Sequence, residues 1–185
     1  MSAKTKLELT WIGKEHRPRL EPRILIEHAE NSYHAKSRRP NDSFDNLLIR
    51  GDNLLALRAL EADFEGKIKC IYIDPPYNIS VASPHYEDGL EHSSWLSLMR
   101  DRLAILYRLL ADDGLIFIQI DDEEVAYLTV LMDEVFGRHN RVNIIAVKMS
   151  EATGVKMSHA RKRMPKTKEF ILMYKKGDVE ISPIR

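Results

Sequence analysis

Asp74, Pro75, Pro76, Tyr77 and Asn78 follow one another at the end of the apolar run Ile68 to Ile73. The two prolines carry no backbone N–H and push the residue before each of them away from helix, so this segment reads as a stiff, extended loop rich in hydrogen-bond acceptors. It offers the Asp74 carboxylate and unpaired proline carbonyls at one point, with the aromatic face of Tyr77 alongside. A flat molecule bearing an NH2 group suits that set: two acceptors for its two hydrogens and a ring to stack on its plane. Adenine is the leading candidate. The plainer alternative is a proline pair that ends a strand, with Asp74 and Tyr77 as turn residues. Acid, rigid acceptors and aromatic are contiguous, however, and follow a strand of the type that delivers active-site loops.

Such a loop needs a sheet behind it. The chain has 185 residues, 44% hydrophobic and 30% charged, enough for one domain with a real core. Formal net charge is zero, so the overall balance does not point to nucleic acid, but the charges are uneven. Residues 112 to 134 hold acids and no Lys or Arg, whereas in residues 155 to 176 Glu169 is the only acid among many Lys and Arg. Lys156, Arg161, Lys162, Arg163 and Lys166 in this second stretch are candidates to face phosphates; a merely solvated basic loop is the alternative. The single cysteine, Cys70, excludes an intrachain disulfide, fits a reducing compartment, and reads as a core residue. The charged N-terminus lacks the apolar stretch of a signal peptide, and no segment is long enough to span a bilayer, so a cytoplasmic location is expected.

Residues 1 to 45 mix charges with Pro18, Pro22 and Pro40 and read as an irregular arm, with Leu7 to Ile12 and Arg23 to Glu27 as conceivable short strands. The remainder, 46 to 185, alternates strand and helix. Leu47 to Ile49 reads as a short buried strand, followed by the helix Asn53 to Ala62 with Leu54, Leu57 and Leu60 on one stripe. Asp52 is either its N-cap or a ligand group at a strand's carboxyl end. After the Ile68 to Ile73 strand comes a polar loop over residues 79 to 92. Its His85 and His92 have no histidine or carboxylate partner at ligand spacing, so no metal is expected. Ser93 or Ser94 should cap a long helix burying Trp95, Leu98, Met99, Leu103, Leu106 and Leu110. Asp112, Asp113 and Gly114 should end it, and Leu115 to Ile120 reads as a strand covered on both faces. Asp121 and Asp122 read as caps rather than catalysts for the helix Glu123 to Phe136, stopped by Gly137. Val142 to Met149 and Glu169 to Lys175 should close the sheet as an antiparallel pair flanking the basic loop. The order predicts an α/β sheet of the Rossmann-like type, mostly parallel with an antiparallel end. One part is missing: no two glycines are spaced Gly-x-Gly, so the glycine-rich turn that lets a backbone approach a nucleotide is absent.

Gly51 to Leu57, Lys69 to Asn78, His92 to Leu103 and Asp121 to Gly137 together closely resemble the methylation (Mod) subunit of type III restriction-modification systems. These are adenine-specific DNA methyltransferases in which catalytic motifs precede the cofactor motif. The resemblance implies a methyltransferase sheet using S-adenosylmethionine, with Asp74, Pro75, Pro76 and Tyr77 as the catalytic motif. It places Asp52, Asn53 and Asp74 against the cofactor and Tyr77, Asn78, Lys168 and Phe170 against the flipped base. The implied partners are double-stranded DNA, a restriction subunit and a second methylation subunit. Family members continue with a target-recognition region and a Phe-x-Gly-x-Gly cofactor loop, neither of which occurs before Arg185. The expectation is therefore a truncated or split form, whose C-terminal half is supplied separately if at all. The alternative reading is a non-enzymatic fragment, an assembly or DNA-binding unit without its own cofactor site.

Overall fold

A computed structural model describes residues 8–33, 35–43, 45–78, 91–149 and 167–180. Helix α1 (Asn53–Phe64) leads into strand β1 (Ile68–Ile73), helix α2 (His92–Leu109), strand β2 (Leu110–Ile120), helix α3 (Val125–Met132), and strands β3 (Arg141–Lys148) and β4 (Lys168–Lys175). The four strands form one mixed sheet in the order β1-β2-β4-β3. β1 and β2 are parallel, and β4 runs antiparallel to both of its neighbours. The start of β4 therefore lies at the same edge as the ends of β1 and β2, with Phe170 opposite Ile120.

Strand periodicity sets the core. Ile116, Ile118 and Ile120 of β2 are fully buried, as are Leu172 and Tyr174 beside them on β4, while Phe117 and Gln119 on the other face are only half-buried. Trp95, Met99, Leu103 and Leu106, at helical spacing along α2, pack on the buried face together with Leu128, Leu131 and Met132 of α3. Each such side chain contributes about 1.5–3 kcal/mol by leaving water. Helix α3 continues through a π turn, Asp133–Gly137, and stops at Gly137 with φ 88°. The Tyr174 hydroxyl ties this turn to the sheet by donating to Asp133 at 2.7 Å. The arm also docks here: Trp11 donates to Ser97 at 2.8 Å, and Lys14 bridges Glu8 and Glu134. No described helix is long and apolar enough to cross a membrane.

Several sequence expectations are corrected. Residues 47–49 form no strand, and Leu47 and Leu48 are 65% and 101% exposed. A three-residue run has too little surface to hold itself in place without a hydrogen-bonded neighbour, and β1 has none on that side among the described residues. For the same reason Cys70 is exposed rather than core. It lies on the bare face of β1 with Tyr72, itself 56% exposed. Only one face of the described sheet is covered by helices, so the continuous apolar run of β2 does not mark burial on both sides. Neither Ser93 nor Ser94 caps α2; Glu91 is the cap residue and makes no side-chain cap bond. Asp112, Asp113 and Gly114 do not separate helix from strand but lie inside β2, where the register with β1 jumps from Ile68↔Leu110 to Cys70↔Leu115. Turn-forming residues serve a bulge as well as a turn, because both need locally unpaired backbone. Residues 8–12 and 23–27 contain no strand.

Candidate catalytic site

β1 delivers Asp74 to the open edge of the sheet. Asp74 is exposed, and Pro75, Pro76, Tyr77 and Asn78 behind it are half-buried. Three elements remote in sequence hold the loop. From α2, the fully buried Trp95 donates its indole N–H to the Pro76 carbonyl at 2.7 Å. This corrects the expectation that both proline carbonyls are free: Pro76 is spoken for, and no described donor reaches the Pro75 carbonyl. From β4, the Glu169 carboxylate accepts from the Tyr77 hydroxyl at 3.0 Å. From the head of α3, Glu124 accepts from the Asn78 side-chain amide at 2.9 Å. Asn78 itself has φ 56°, in the left-handed region that asparagine tolerates better than most residues.

Glu169 is one end of a polar chain across the bare face of the sheet. Gln119 donates its amide to the same Glu169 oxygen and accepts from the Tyr72 hydroxyl. The Tyr77 hydroxyl thus sits between carboxylates. Burial pushes its ionisation up, and hydrogen bonding to Glu169 and Asp74 pushes it further, so Tyr77 stays a neutral donor at any working pH. Its ring packs partly against the core.

The other sequence-predicted residues divide. Asp52 is the N-cap of α1, one oxygen accepting from Leu54 and Leu55 at 3.0 and 3.1 Å. Asn53 accepts from Arg102 at 2.7 Å and so ties α1 to α2; no described hydrogen bond joins either residue to the loop. Lys168 opens β4 with its ammonium 4.9 Å from the Phe170 ring centroid, and Glu169 between them brings this strand start to Tyr77. Asp121 accepts from the Glu123 backbone at 3.0 Å in the turn before α3, which corrects the expected cap: the helix starts at Val125 with Glu124 at its N-cap position and no side-chain cap bond. Lys156, Arg161, Lys162, Arg163, Lys166 and His85 lie outside the described residues. His92, by contrast, has the carboxylate neighbour that its local sequence lacks: its Nδ1 is 3.0 Å from Glu124. In the sequence Glu169 stands out as the only acid among the basic residues 155 to 176, between Lys168 and Phe170 at the strand start that the resemblance implies beside the base. Nothing singles out Glu124 beyond its being an acid next to an apolar helix.

Chemically, the edge presents an accessible carboxylate and one unclaimed rigid carbonyl, with an aromatic ring fixed between them and the sheet. A groove of about 500 Å³ between the arm, α1 and α2 contains none of the loop residues. The loop therefore works at an open edge, not inside that groove.

Residues 68–183 match the family model for DNA methylases of the N6/N4 type. The chain is 48% identical over 133 residues to the probable type III restriction-modification enzyme HindVI Mod subunit of Haemophilus influenzae, covering 72% of this chain and 18% of that protein. It is 33% identical over 208 residues to the EcoPI Mod subunit of Escherichia phage P1, covering 95% of this chain and 31% of that protein. The chain thus spans less than a third of the length of either relative. The crystal structure of an M1.HpyAVI–SAM complex shares the fold with a TM-score of 0.50 at 14% identity, over 73% of this chain and 56% of that one. With the loop at the end of β1, the sheet behind it and the match to residues 68–183 in agreement, the chain belongs to the DNA methylase family.

Proposed function

We propose that this chain carries the catalytic part of a DNA adenine methyltransferase of a restriction-modification system. In this reading it moves a methyl group from S-adenosylmethionine to the exocyclic amine of an adenine rotated out of the duplex. The observation that carries the reading is the pairing of an exposed Asp74 carboxylate with the one proline carbonyl that Trp95 leaves free. An adenine amine is a poor nucleophile because its lone pair is delocalised into the ring. Hydrogen bonds from its two N–H groups to Asp74 and to the Pro75 carbonyl favour a pyramidal nitrogen with the lone pair directed outward. Asp74 also stabilises the positive charge that develops there before a proton is lost. No covalent intermediate on the protein is needed, so acceleration comes chiefly from alignment of reacting atoms at about 3–3.5 Å. Rotating the base out costs a few kcal/mol, and stacking on Tyr77 returns about 1–3 kcal/mol.

S-adenosylmethionine, when bound, supplies the methyl group on an electrophilic sulfonium. Asp52 fits a role in holding it, because the residue is exposed and its helix cap uses a single carboxylate oxygen. Lys168 and Phe170 border Tyr77 through Glu169, which suits them to pack the extruded base. The basic residues from Lys156 to Lys166 are assigned to the DNA backbone, with affinity that falls as salt rises. The named relatives are Mod subunits of type III restriction-modification enzymes, and in this reading the chain belongs to such a Mod subunit, which acts with a restriction subunit.

The test is Asp74→Ala in the intact enzyme, with labelled methyl donor and duplex DNA. Methyl transfer should be abolished while DNA binding stays largely unchanged, and retained turnover refutes the assignment. Digestion of the product should release N6-methyladenine; N4-methylcytosine in its place overturns the choice of base.

A further inference from the structure

The loop's third anchor has no role in the chemistry above. Asn78, directly after Tyr77, is the one non-glycine residue among those described with positive φ, at 56°. Left-handed backbone is uncommon outside glycine, although asparagine adopts it more readily than most residues. What holds the Asn78 side chain is Glu124, which takes the Asn78 amide at 2.9 Å and the His92 imidazole at 3.0 Å on the same oxygen. Glu124 is only 4% exposed. Its main chain is fixed by accepting from Leu128 at 2.9 Å, so the carboxylate is carried rigidly by the start of α3. With the carboxylate as acceptor, His92 carries its proton on Nδ1, and the ring is braced edge-on by Tyr127 at 4.4 Å.

This arrangement is unfavourable in isolation. Glu124 Oε2, Asn78 Oδ1 and His92 Nε2 are all buried without a protein partner, and a buried carboxylate oxygen left unmatched destabilises a fold. An apolar side chain here would close the core with no such penalty, but it would not grip Asn78. We infer that Glu124 is a positioning residue for methyl transfer. Through Asn78 it fixes the exit of the loop, and with it the mutual placement of Tyr77, the Pro75 carbonyl and Asp74, while His92 orients the carboxylate. This rests on the proposed function of the loop. The Trp95 bond fixes the middle of the loop and the Glu169 bond fixes the tip of Tyr77; among the described residues the Glu124 bond is the one that holds the Asn78 side chain.

The experiment compares wild type, Glu124→Ala, Glu124→Gln, Asn78→Gly and the double variant Asn78→Gly/Glu124→Ala in the intact enzyme. It reads kcat, KM, cofactor affinity and thermal midpoint. Misplacement by an ångström costs about 100-fold in rate, so Glu124→Ala should lower kcat by about that factor with cofactor affinity unchanged. Glu124→Gln keeps an acceptor for Asn78 and should recover most of the loss. The double variant should be no slower than the slower single one, because both break one tether. Wild-type kcat in Glu124→Ala, or losses that multiply in the double variant, overturns the inference. Should Glu124→Ala not fold, Asn78→Gly decides: glycine adopts the left-handed backbone freely, and an unchanged kcat in that variant overturns the tether. A wild-type enzyme without turnover on DNA refutes the proposed function instead. In that event the tether is read from the Asn78 side-chain amide resonances, which should move on Glu124→Gln and overturn the contact if they do not.

Discussion

Replacing Tyr77 by phenylalanine separates its hydroxyl from its ring. The hydroxyl donates to Glu169 at 3.0 Å and is near enough to Asp74 to feel its charge. A hydrogen bond to a charged acceptor is worth about 1.5–3 kcal/mol, and at this half-buried edge the lower figure applies. Glu169 keeps its bond from Gln119 in the variant, so no carboxylate is orphaned. Tyr77→Phe should therefore cost about 1.5 kcal/mol, which for a domain of this size lowers the thermal midpoint by roughly 3–6 °C. The ring stays, so stacking on an extruded base survives and KM for DNA should not change. Tyr77→Ala loses stacking as well, about a further 1–3 kcal/mol. The assay is single-turnover methyl transfer alongside the fluorescence of 2-aminopurine at the target position, which rises as the base leaves the stack. If Tyr77→Phe abolishes extrusion as fully as Tyr77→Ala, the ring is not the stacking platform and the reasoning fails. An alkaline signature accompanies this. The native state holds the Tyr77 proton, whereas the unfolded chain gives it up near pH 10, so stability falls as pH rises past about 10. Tyr77→Phe should remove part of that slope, leaving the part due to Tyr174, whose ionisation burial and Asp133 likewise push up.

Trp95→Phe takes the donor from the Pro76 carbonyl, which should cost about 1–3 kcal/mol in thermal unfolding and slow methyl transfer beyond what the stability loss explains. Equal kcat in that variant removes Trp95 from loop positioning. Burial pushes Glu61 up, but its ion pairs with Arg108 and Arg58 outweigh this and hold it below the usual carboxylate range. Its stabilising effect is thus present above the unfolded value of about 4.3 and lost as pH falls through the native one, and Glu61→Gln should flatten that acid limb in a pH series of unfolding curves. Lys162→Ala with Arg163→Ala should reduce the slope of log affinity against log salt by about 0.9 for each phosphate no longer neutralised, and an unchanged slope takes the loop off the DNA.

Features set by local pattern are legible in the sequence. The Asp74 to Asn78 loop stands at the end of its strand, the α2 stripe from Trp95 to Leu106 faces the core, and β3 and β4 pair antiparallel. Each depends on period-2 or helical spacing, or on proline geometry, within about a dozen residues. The corrected expectations share a cause. Leu47 to Ile49 and Cys70 read as interior because their runs are apolar, yet burial needs a partner, and the face bearing Cys70 and Tyr72 has no covering helix among the described residues. Asp112 to Gly114 announce a turn, and the backbone uses the same residues as a bulge because β2 has already begun at Leu110.

The anchors of the loop are illegible for a different reason. Trp95, Glu124 and Glu169 stand 19, 46 and 92 residues from their partners, and no local spacing marks which acid in Asp121 to Glu124 turns inward. That separation is informative. A loop whose acceptors must serve the substrate gains little from its own hydrogen bonds, since each internal bond competes for an acceptor, as the Tyr77 hydroxyl does where it interacts with Asp74 as well as Glu169. Rigidity then comes chiefly from outside, through groups the chemistry does not need: the Pro76 carbonyl, the Tyr77 hydroxyl and the Asn78 amide. Those are the three that α2, β4 and the head of α3 hold, and Asp74 and the Pro75 carbonyl are what remains for the substrate. Exchanging any one anchor for an apolar residue of equal volume should therefore leave the fold standing and degrade methyl transfer, whereas a loop stabilised from within would lose both together.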